Sequence, residues 1–206
     1  MIKAVLFDFD GVITVDKTGS ETICNYISSK MNIDFELFNK EYRKFNEELL
    51  LGKINHADIW SKLCEAIGNQ IPYQILIGSF QNTKINNKII ELIIKYKDAG
   101  YKIGLVTDNK KDRIDEIIRW NKWDKLFDCV SISAEIGSGK GNQKIFNKTI
   151  EKLKIKNQEC IFIDNTKKNL IAPNQMGIKT IFYDDEKKNV EELLNNIEKI
   201  IKEENK

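Results

Sequence analysis

The chain has 206 residues, 41% of them hydrophobic and 31% charged, with 33 Lys and Arg against 31 Asp and Glu. A chain of this length has the apolar material for a core that buries roughly 70% of the surface exposed on unfolding. That excludes a disordered chain and a disulfide-held miniprotein, and the even scatter of Lys beside Glu and Asp excludes the concentrated basic face of a nucleic-acid binder.

The first element is the apolar run Ala4–Phe7, a strand closed by Asp8 and Asp10. It is too short for a signal peptide or a membrane span, and no later run approaches 18 residues without a charge, so no membrane contact is expected. From about residue 15 to 83 no convincing strand occurs. The pattern reads as helices over 20–31, 34–50, 56–67 and 72–81, punctuated by Gly52, Gly68, Asn69 and Pro72. Next comes a helix over 86–99, whose Ile89, Ile90, Leu92, Ile93, Ile94 and Tyr96 end at Gly100, a stop signal. Strands at 103–106, 130–132, 160–163 and 179–182 follow, with helices over 110–121, 142–154 and 187–204 among them; residues 202–206 read as a frayed helix end.

The clearest strands are continuous apolar runs, as expected when both faces are covered, and their alternation with helices predicts a doubly wound, parallel, Rossmann-like α/β sheet. A structureless loop of the length of 15–83 is implausible in a compact domain. The expected organisation is therefore a catalytic core from residues 1–14 and 84–206, with a small all-helical domain, 15–83, inserted after strand one. Cys24, Cys64, Cys129 and Cys160 form no CxxC pair, and the lone His56 is not at zinc spacing from Cys64. Reduced thiols and a cytoplasmic location are expected. Nothing in the sequence sets the oligomeric state.

Ligands of a doubly wound sheet bind beyond the carboxyl ends of its strands. At those ends stand Asp8-Phe9-Asp10-Gly11, Thr107-Asp108-Asn109, the stretch Gly137-Ser138-Gly139-Lys140-Gly141, and Asp164-Asn165. Asp8–Gly11 does not open a calcium loop, because Val12, Ile13 and Gly19 occupy positions that need ligands or Gly. The Lys140 stretch is not a P-loop, because Ala134 and Gly141 replace its first Gly and its final Ser or Thr. Two acids, a hydroxyl, a lysine and a further acid with an amide, all on one rim, are the groups that phosphoryl transfer through a carboxylate nucleophile needs.

These motifs resemble, in order, those of the haloacid dehalogenase superfamily: Ala4–Val12, Leu105–Asn109, Lys140 with Ile145-Phe146, and Phe162–Asn165 followed by Asn169, Leu170, Ala172 and Gly177. The resemblance covers nearly the whole chain, with 15–83 in the place of the helical cap. It implies a phosphoric monoester hydrolase in which Asp8 attacks phosphorus and Asp10 acts as acid, then base. It also implies that Thr107, Asp108, Asn109 and Lys140 hold the phosphoryl group, and that Mg²⁺ is bound by Asp8, Asp10 through its carbonyl, Asp164 and Asn165. Asn165 departs from the commoner second acid, but Asp-Asn also occurs in the RNA-polymerase-tail phosphatases of the superfamily. Leu51-Gly52-Lys53-Ile54 leading to Trp60 is similar to a cap pattern of sugar-phosphate phosphatases and makes Lys53 a candidate substrate ligand.

The leading expectation is a Mg²⁺-dependent phosphatase for a small phosphorylated metabolite, with no nucleic-acid partner. The alternatives are a phosphomutase of the β-phosphoglucomutase type, with Lys53 as the cap cation, and a silent phosphate-binding module. A dehalogenase is disfavoured because those relatives lack the second acid, present here as Asp10. Lys17, Arg43, Lys53 and His56 are candidates to face the site. His56 is otherwise expected at the surface at a helix start, and Trp60, Trp120 and Trp123 in core or cap packing.

Overall fold

In the computed structural model, residues 1–204 are described; Asn205 and Lys206, the tip of the expected frayed end, lie outside them. Five parallel strands form one sheet in the order β3-β2-β1-β4-β5: β1 Ala4–Phe7, β2 Lys102–Thr107, β3 Cys129–Ile132, β4 Cys160–Asp164 and β5 Lys179–Phe182. Central β1 pairs Val5 with Ile103 on one side and with Ile161 on the other. Alternate residues face opposite layers. Val5, Phe7, Ile103, Leu105, Ile161 and Ile163 belong to one apolar cluster, and Ala4, Leu6, Val106 and Phe162 to the other.

Between β1 and β2 the chain forms α1 Gly19–Met31, α2 Phe35–Arg43, α3 Asn46–Leu50, α4 His56–Ile67, α5 Tyr73–Gln81 and α6 Asn87–Asp98. The later helices are α7 Lys111–Trp120, α8 Ser133–Ile136, α9 Gln143–Leu153, α10 Ile171–Gln175 and α11 Val190–Glu204. Local chemistry sets their ends. The Thr18 side chain accepts from Glu21 N to start α1; Asn55 and Asp58 form a reciprocal capping box for α4, which Gly68 stops in the left-handed region at φ +72°. The expected helix 34–50 is two helices. No breaker residue marks the interruption; Lys44 and Phe45 tighten into bonds to Glu41 O and Tyr42 O. The turn buries Phe38 and Tyr42 on one side of it and Leu49 on the other, and brings Asn46 to the Ser20 hydroxyl at 2.9 Å. Packing here overrides a continuous helical pattern.

Helices α6, α7 and α11 cover the Val5–Phe7 face of the sheet; α9 and α10 cover the other. The apolar cluster on the first face continues into α1–α5 through Ile23, Ile27, Phe38, Leu49, Leu63, Leu76 and Phe80. The chain enters and leaves this helical group along two antiparallel segments. Val15 N donates to Lys84 O at 2.9 Å, and Asn86 N donates to Ile13 O at 2.8 Å. Among the described residues no helix is long and apolar enough to cross a membrane.

Candidate active site

After β1 the chain makes a tight turn over Phe9–Ile13, with Gly11 in the left-handed region at φ +80°. The turn aims Asp8 and Asp10 at the sheet's C-terminal rim. Gly11 is needed there for space as well as for φ, because a Cβ would overlap the Asn165 amide nitrogen. Asp8, Asp10, Thr107, Asp108, Asn109, Lys140 and Asn165 together line a cavity of about 210 Å³, which Lys17, Ser20, Asn46 and Lys110 close from the other side. A second cavity of about 450 Å³, lined by Arg43, Glu47, Leu51 and Ser133, adjoins it across the shared walls Asn46, Leu50 and Asp108.

Lys140 lies between two buried acids, 2.6 Å from Asp8 Oδ1 and 2.7 Å from Asp164 Oδ2. Burial alone would lower the lysine, but Asp8, Asp164 and Asp108 outweigh it and hold the ammonium above its ordinary value. Burial likewise pushes Asp8 up to about 8, against the pull of Lys140 and with the push of Asp164. The loop that carries Lys140 is pinned by Asp108, whose Oδ1 accepts from Lys140 N at 2.8 Å. Asp164 has both oxygens engaged by protein donors: Lys140, Thr166 N at 2.7 Å and Asn169 Nδ2 at 3.2 Å. It therefore anchors the ammonium rather than presenting free lone pairs to the cavity.

Asp10 is held by a residue absent from the sequence expectations. Arg113 of α7 donates to both its oxygens, each at 2.9 Å, and Asn109 Nδ2 donates to Oδ2 at 2.8 Å. Oδ2 thus accepts from two donors and Oδ1 from one. Arg113 is fully buried under Gly19 of α1, where a Cβ would overlap the guanidinium, and lies 5.5 Å from the Phe9 ring centre. The signal for it was an Arg on the apolar face of the predicted helix 110–121, one turn before Ile117.

Lys110, also missed, is buried, with its ammonium donating to Ser20 Oγ at 2.8 Å beneath the Tyr42 ring. Burial, then the neighbouring Arg113, lower it to about 7. His56 does not face the cavity, nor is it at the surface. It is fully buried at the start of α4 because both ring nitrogens find partners, Asp112 Oδ2 at 2.6 Å and the Tyr42 hydroxyl at 2.7 Å. A carboxylate only accepts, so in the neutral ring Nδ1 donates to Asp112 and Nε2 accepts from Tyr42. Burial would raise Asp112, but the His56 hydrogen bond holds it below the usual carboxylate range.

Lys53 does not line the reaction cavity. Gly52, at φ +67° against Ala134, turns the chain away, and Lys53 lies exposed in a separate cleft beside Asp58 and Asp112. Lys17 and Arg43 do reach the two adjoining cavities. Trp60 is packed as expected, donating to Ile71 O at 2.8 Å, and Trp123 packs edge-on against Phe127. Trp120 is exposed instead, at the last turn of α7, where its face of the helix meets no neighbouring layer.

The motif order, the sheet and the rim agree with one family, and residues 5–183 match the haloacid dehalogenase-like hydrolases. The chain belongs to this family. It is similar to glyceraldehyde 3-phosphate phosphatase of Methanopyrus kandleri, 27% identical over 199 residues that cover 88% of this chain and 83% of the relative. It is also similar to pyrophosphatase PpaX of Bacillus mycoides, 23% identical over 190 residues covering 87% and 82%. A family enzyme from Bacteroides thetaiotaomicron, solved with magnesium and inorganic phosphate, shares the fold with a TM-score of 0.69 at 18% identity, over 88% of this chain and 94% of its own. So does L-2-haloacid dehalogenase of Xanthobacter autotrophicus, with a TM-score of 0.64 at 13% identity over 87% and 76%.

The donors at the rim of this haloacid dehalogenase-like hydrolase suit a hard cation. Among the described residues no three His, Cys, Asp or Glu side chains gather as a metal cluster. Asp8, Asp10 and Asn165 line the cavity instead, and the donors they carry are carboxylate, main-chain carbonyl and amide oxygens. This is an all-oxygen set that fits Mg²⁺ and would not select zinc or copper.

Proposed function

We propose that the chain is a Mg²⁺-dependent phosphatase that hydrolyses a small phosphorylated metabolite through an aspartyl phosphate on Asp8. The observation that carries this reading is Asp8, Lys140 and Thr107 on one small cavity, with the Lys140 ammonium held from behind by Asp164. A carboxylate held beside a fixed ammonium is a nucleophile that can meet a phosphoryl dianion without unbalanced repulsion. The Thr107 hydroxyl and the main-chain amide of Asp108 are the donors for the phosphoryl oxygens; the Asn109 amide, expected to share this role, is already bonded to Ser133 Oγ at 2.9 Å. Asp8, the Asp10 carbonyl and Asn165 would hold Mg²⁺, which when bound withdraws charge from the phosphoryl group.

Asp10 carries the proton traffic. It protonates the leaving oxygen and later takes a proton from the hydrolytic water; in between it is a carboxylate, the form whose two oxygens the Arg113 fork can hold. Residues 15–83 act as the cap over the core of 1–14 and 84–206. The adjoining 450 Å³ cavity between the α3 rim and the Lys140 loop receives the leaving group. Its size favours a metabolite over a polymer. The unpaired, buried thiols fit a reducing cytoplasm.

Hydrolysis of an aryl phosphate with and without Mg²⁺, followed by a panel of phosphorylated metabolites, tests the reading. Mg²⁺-stimulated release of phosphate supports it. Inertness toward every phosphate ester, with tight phosphate binding, would favour the silent module instead.

A further inference from the structure

We propose that Asp185 is a positioning residue of the cation site. It fixes the Asn165 amide with its carbonyl oxygen toward the cavity, and it supplies, one hydrogen bond behind, the negative charge that an amide lacks. The proposal rests on the magnesium reading above and assigns a residue that no motif of the sequence contains.

Asp185 follows β5, on the sheet edge next to β4. Its position is set by the backbone: Tyr183 N donates to Asp164 O at 3.0 Å, and Lys188 N donates to Asp184 O at 2.8 Å. The Asp184 carboxylate closes the turn by accepting from Glu186 N and Lys187 N, each at 3.1 Å. Asp185 is thereby buried, an unusual place for an acid without a buried cation. Its nearest donor is Asn165 Nδ2, at 3.2 Å; the exposed Lys17 ammonium is farther, at 3.6 Å, and is shared with Glu186 at 3.1 Å.

An asparagine amide has two ends, and a carboxylate can only accept. Asp185 therefore selects the orientation in which Nδ2 faces it, and Oδ1 is left on the far side of the amide. Gly11 makes this possible, because any side chain there would overlap Nδ2 and crowd Cγ. Of the three oxygen donors only Asp8 is charged, and the Lys140 ammonium 2.6 Å away, shared with Asp164, offsets part of that charge. A divalent cation would meet a single, partly offset charge among its contacts without a further carboxylate close behind. Partners that orient a metal ligand in this way typically contribute about 10–100-fold in metal affinity.

The test is Mn²⁺ binding in the absence of substrate, read from the free-ion electron paramagnetic resonance signal, on the full chain. Asp185→Asn is expected to weaken binding about tenfold or more, because an amide can accept or donate and no longer selects the orientation of Asn165. The exchange variant Asn165→Asp/Asp185→Asn keeps the hydrogen bond with its ends reversed, and is expected to bind at least as tightly as wild type. Asn165→Asp alone sets two carboxylates face to face and should gain less than the exchange variant. Binding by Asp185→Asn within about threefold of wild type overturns the proposal, as does an exchange variant that binds about tenfold more weakly than wild type. Should Asp185→Asn fail to fold by near-ultraviolet circular dichroism, the exchange variant decides alone. A wild type that binds no Mn²⁺ overturns the magnesium reading itself, and the proposal with it.

Discussion

Replacing Arg113 with Met tests the fork that holds Asp10. Met keeps much of the volume and removes the charge and both hydrogen bonds. Breaking a buried ion pair from one side costs about 3–5 kcal/mol. Asp10 keeps its bond from Asn109 and is 15% exposed at the cavity, so the loss belongs at the lower end, about 3 kcal/mol. In a chain of 206 residues that lowers Tm by about 6–12 °C. The converse change, Asp10→Asn, strands a guanidinium with 0% exposure and belongs at the upper end, about 4–5 kcal/mol. Combining the two removes the stranded charge and should recover about 2 kcal/mol of the added losses. Urea unfolding of the four proteins gives the cycle. Kinetically, Arg113→Met leaves Asp10 without its aim, and alkyl phosphates, which need leaving-group protonation, should lose more kcat than aryl phosphates. Stability of Arg113→Met within about 0.5 kcal/mol of wild type would mean that the fork holds nothing buried, since so small a change is what a surface substitution gives.

Asp8→Asn should abolish turnover while leaving the circular dichroism spectrum unchanged; Mg²⁺-stimulated activity within about tenfold of wild type would count against Asp8 as nucleophile. Lys140→Met leaves Asp8 and Asp164 buried together without their cation, and a loss of about 3–5 kcal/mol is expected in urea unfolding. Lys110 has its folded value lowered to about 7, so the unfolded chain binds more protons than the folded one between there and the ordinary lysine range near 10.5. Stability should therefore rise with pH across that window, and Lys110→Met should stabilise by about 1 kcal/mol or more near pH 7, with the advantage shrinking toward pH 10. Asn165→Asp should lower the half-saturating Mg²⁺ concentration for aryl-phosphate hydrolysis; an unchanged midpoint would mean that Asn165 does not touch the metal.

What the sequence made legible was whatever rests on local pattern. Continuous apolar runs such as Cys160–Ile163 located the strands, and the polar residues that ended them located the rim, because a parallel sheet gathers its strand ends on one side. The break between α2 and α3 was hidden because Lys44 and Phe45 carry no helix-breaking chemistry; it lets Tyr42 before it and Leu49 after it both be buried in one apolar cluster. Arg113 and Lys110 were hidden for a related reason. A cation on a helix reads as solvated until the neighbouring layer is known, here Gly19, Ser20 and Tyr42 from a distant stretch of chain. His56 was misplaced at the surface because its two partners are 14 and 56 residues away. Lys53 kept its place in a short motif while the turn at Gly52 carried its side chain into another cleft. Asp185 lies outside every motif and meets Asn165 only because β4 and β5 are neighbours.

The mechanism turns on a covalent phosphoenzyme at Asp8. A single turnover with an aryl phosphate and Mg²⁺, quenched in acid and reduced with borohydride, converts an aspartyl phosphate to homoserine, which peptide mass spectrometry can locate. Homoserine is expected at position 8 in wild type and none in Asp8→Asn. A burst of released aryl alcohol with Asp8 intact, or homoserine at Asp10 or Asp164, would contradict it.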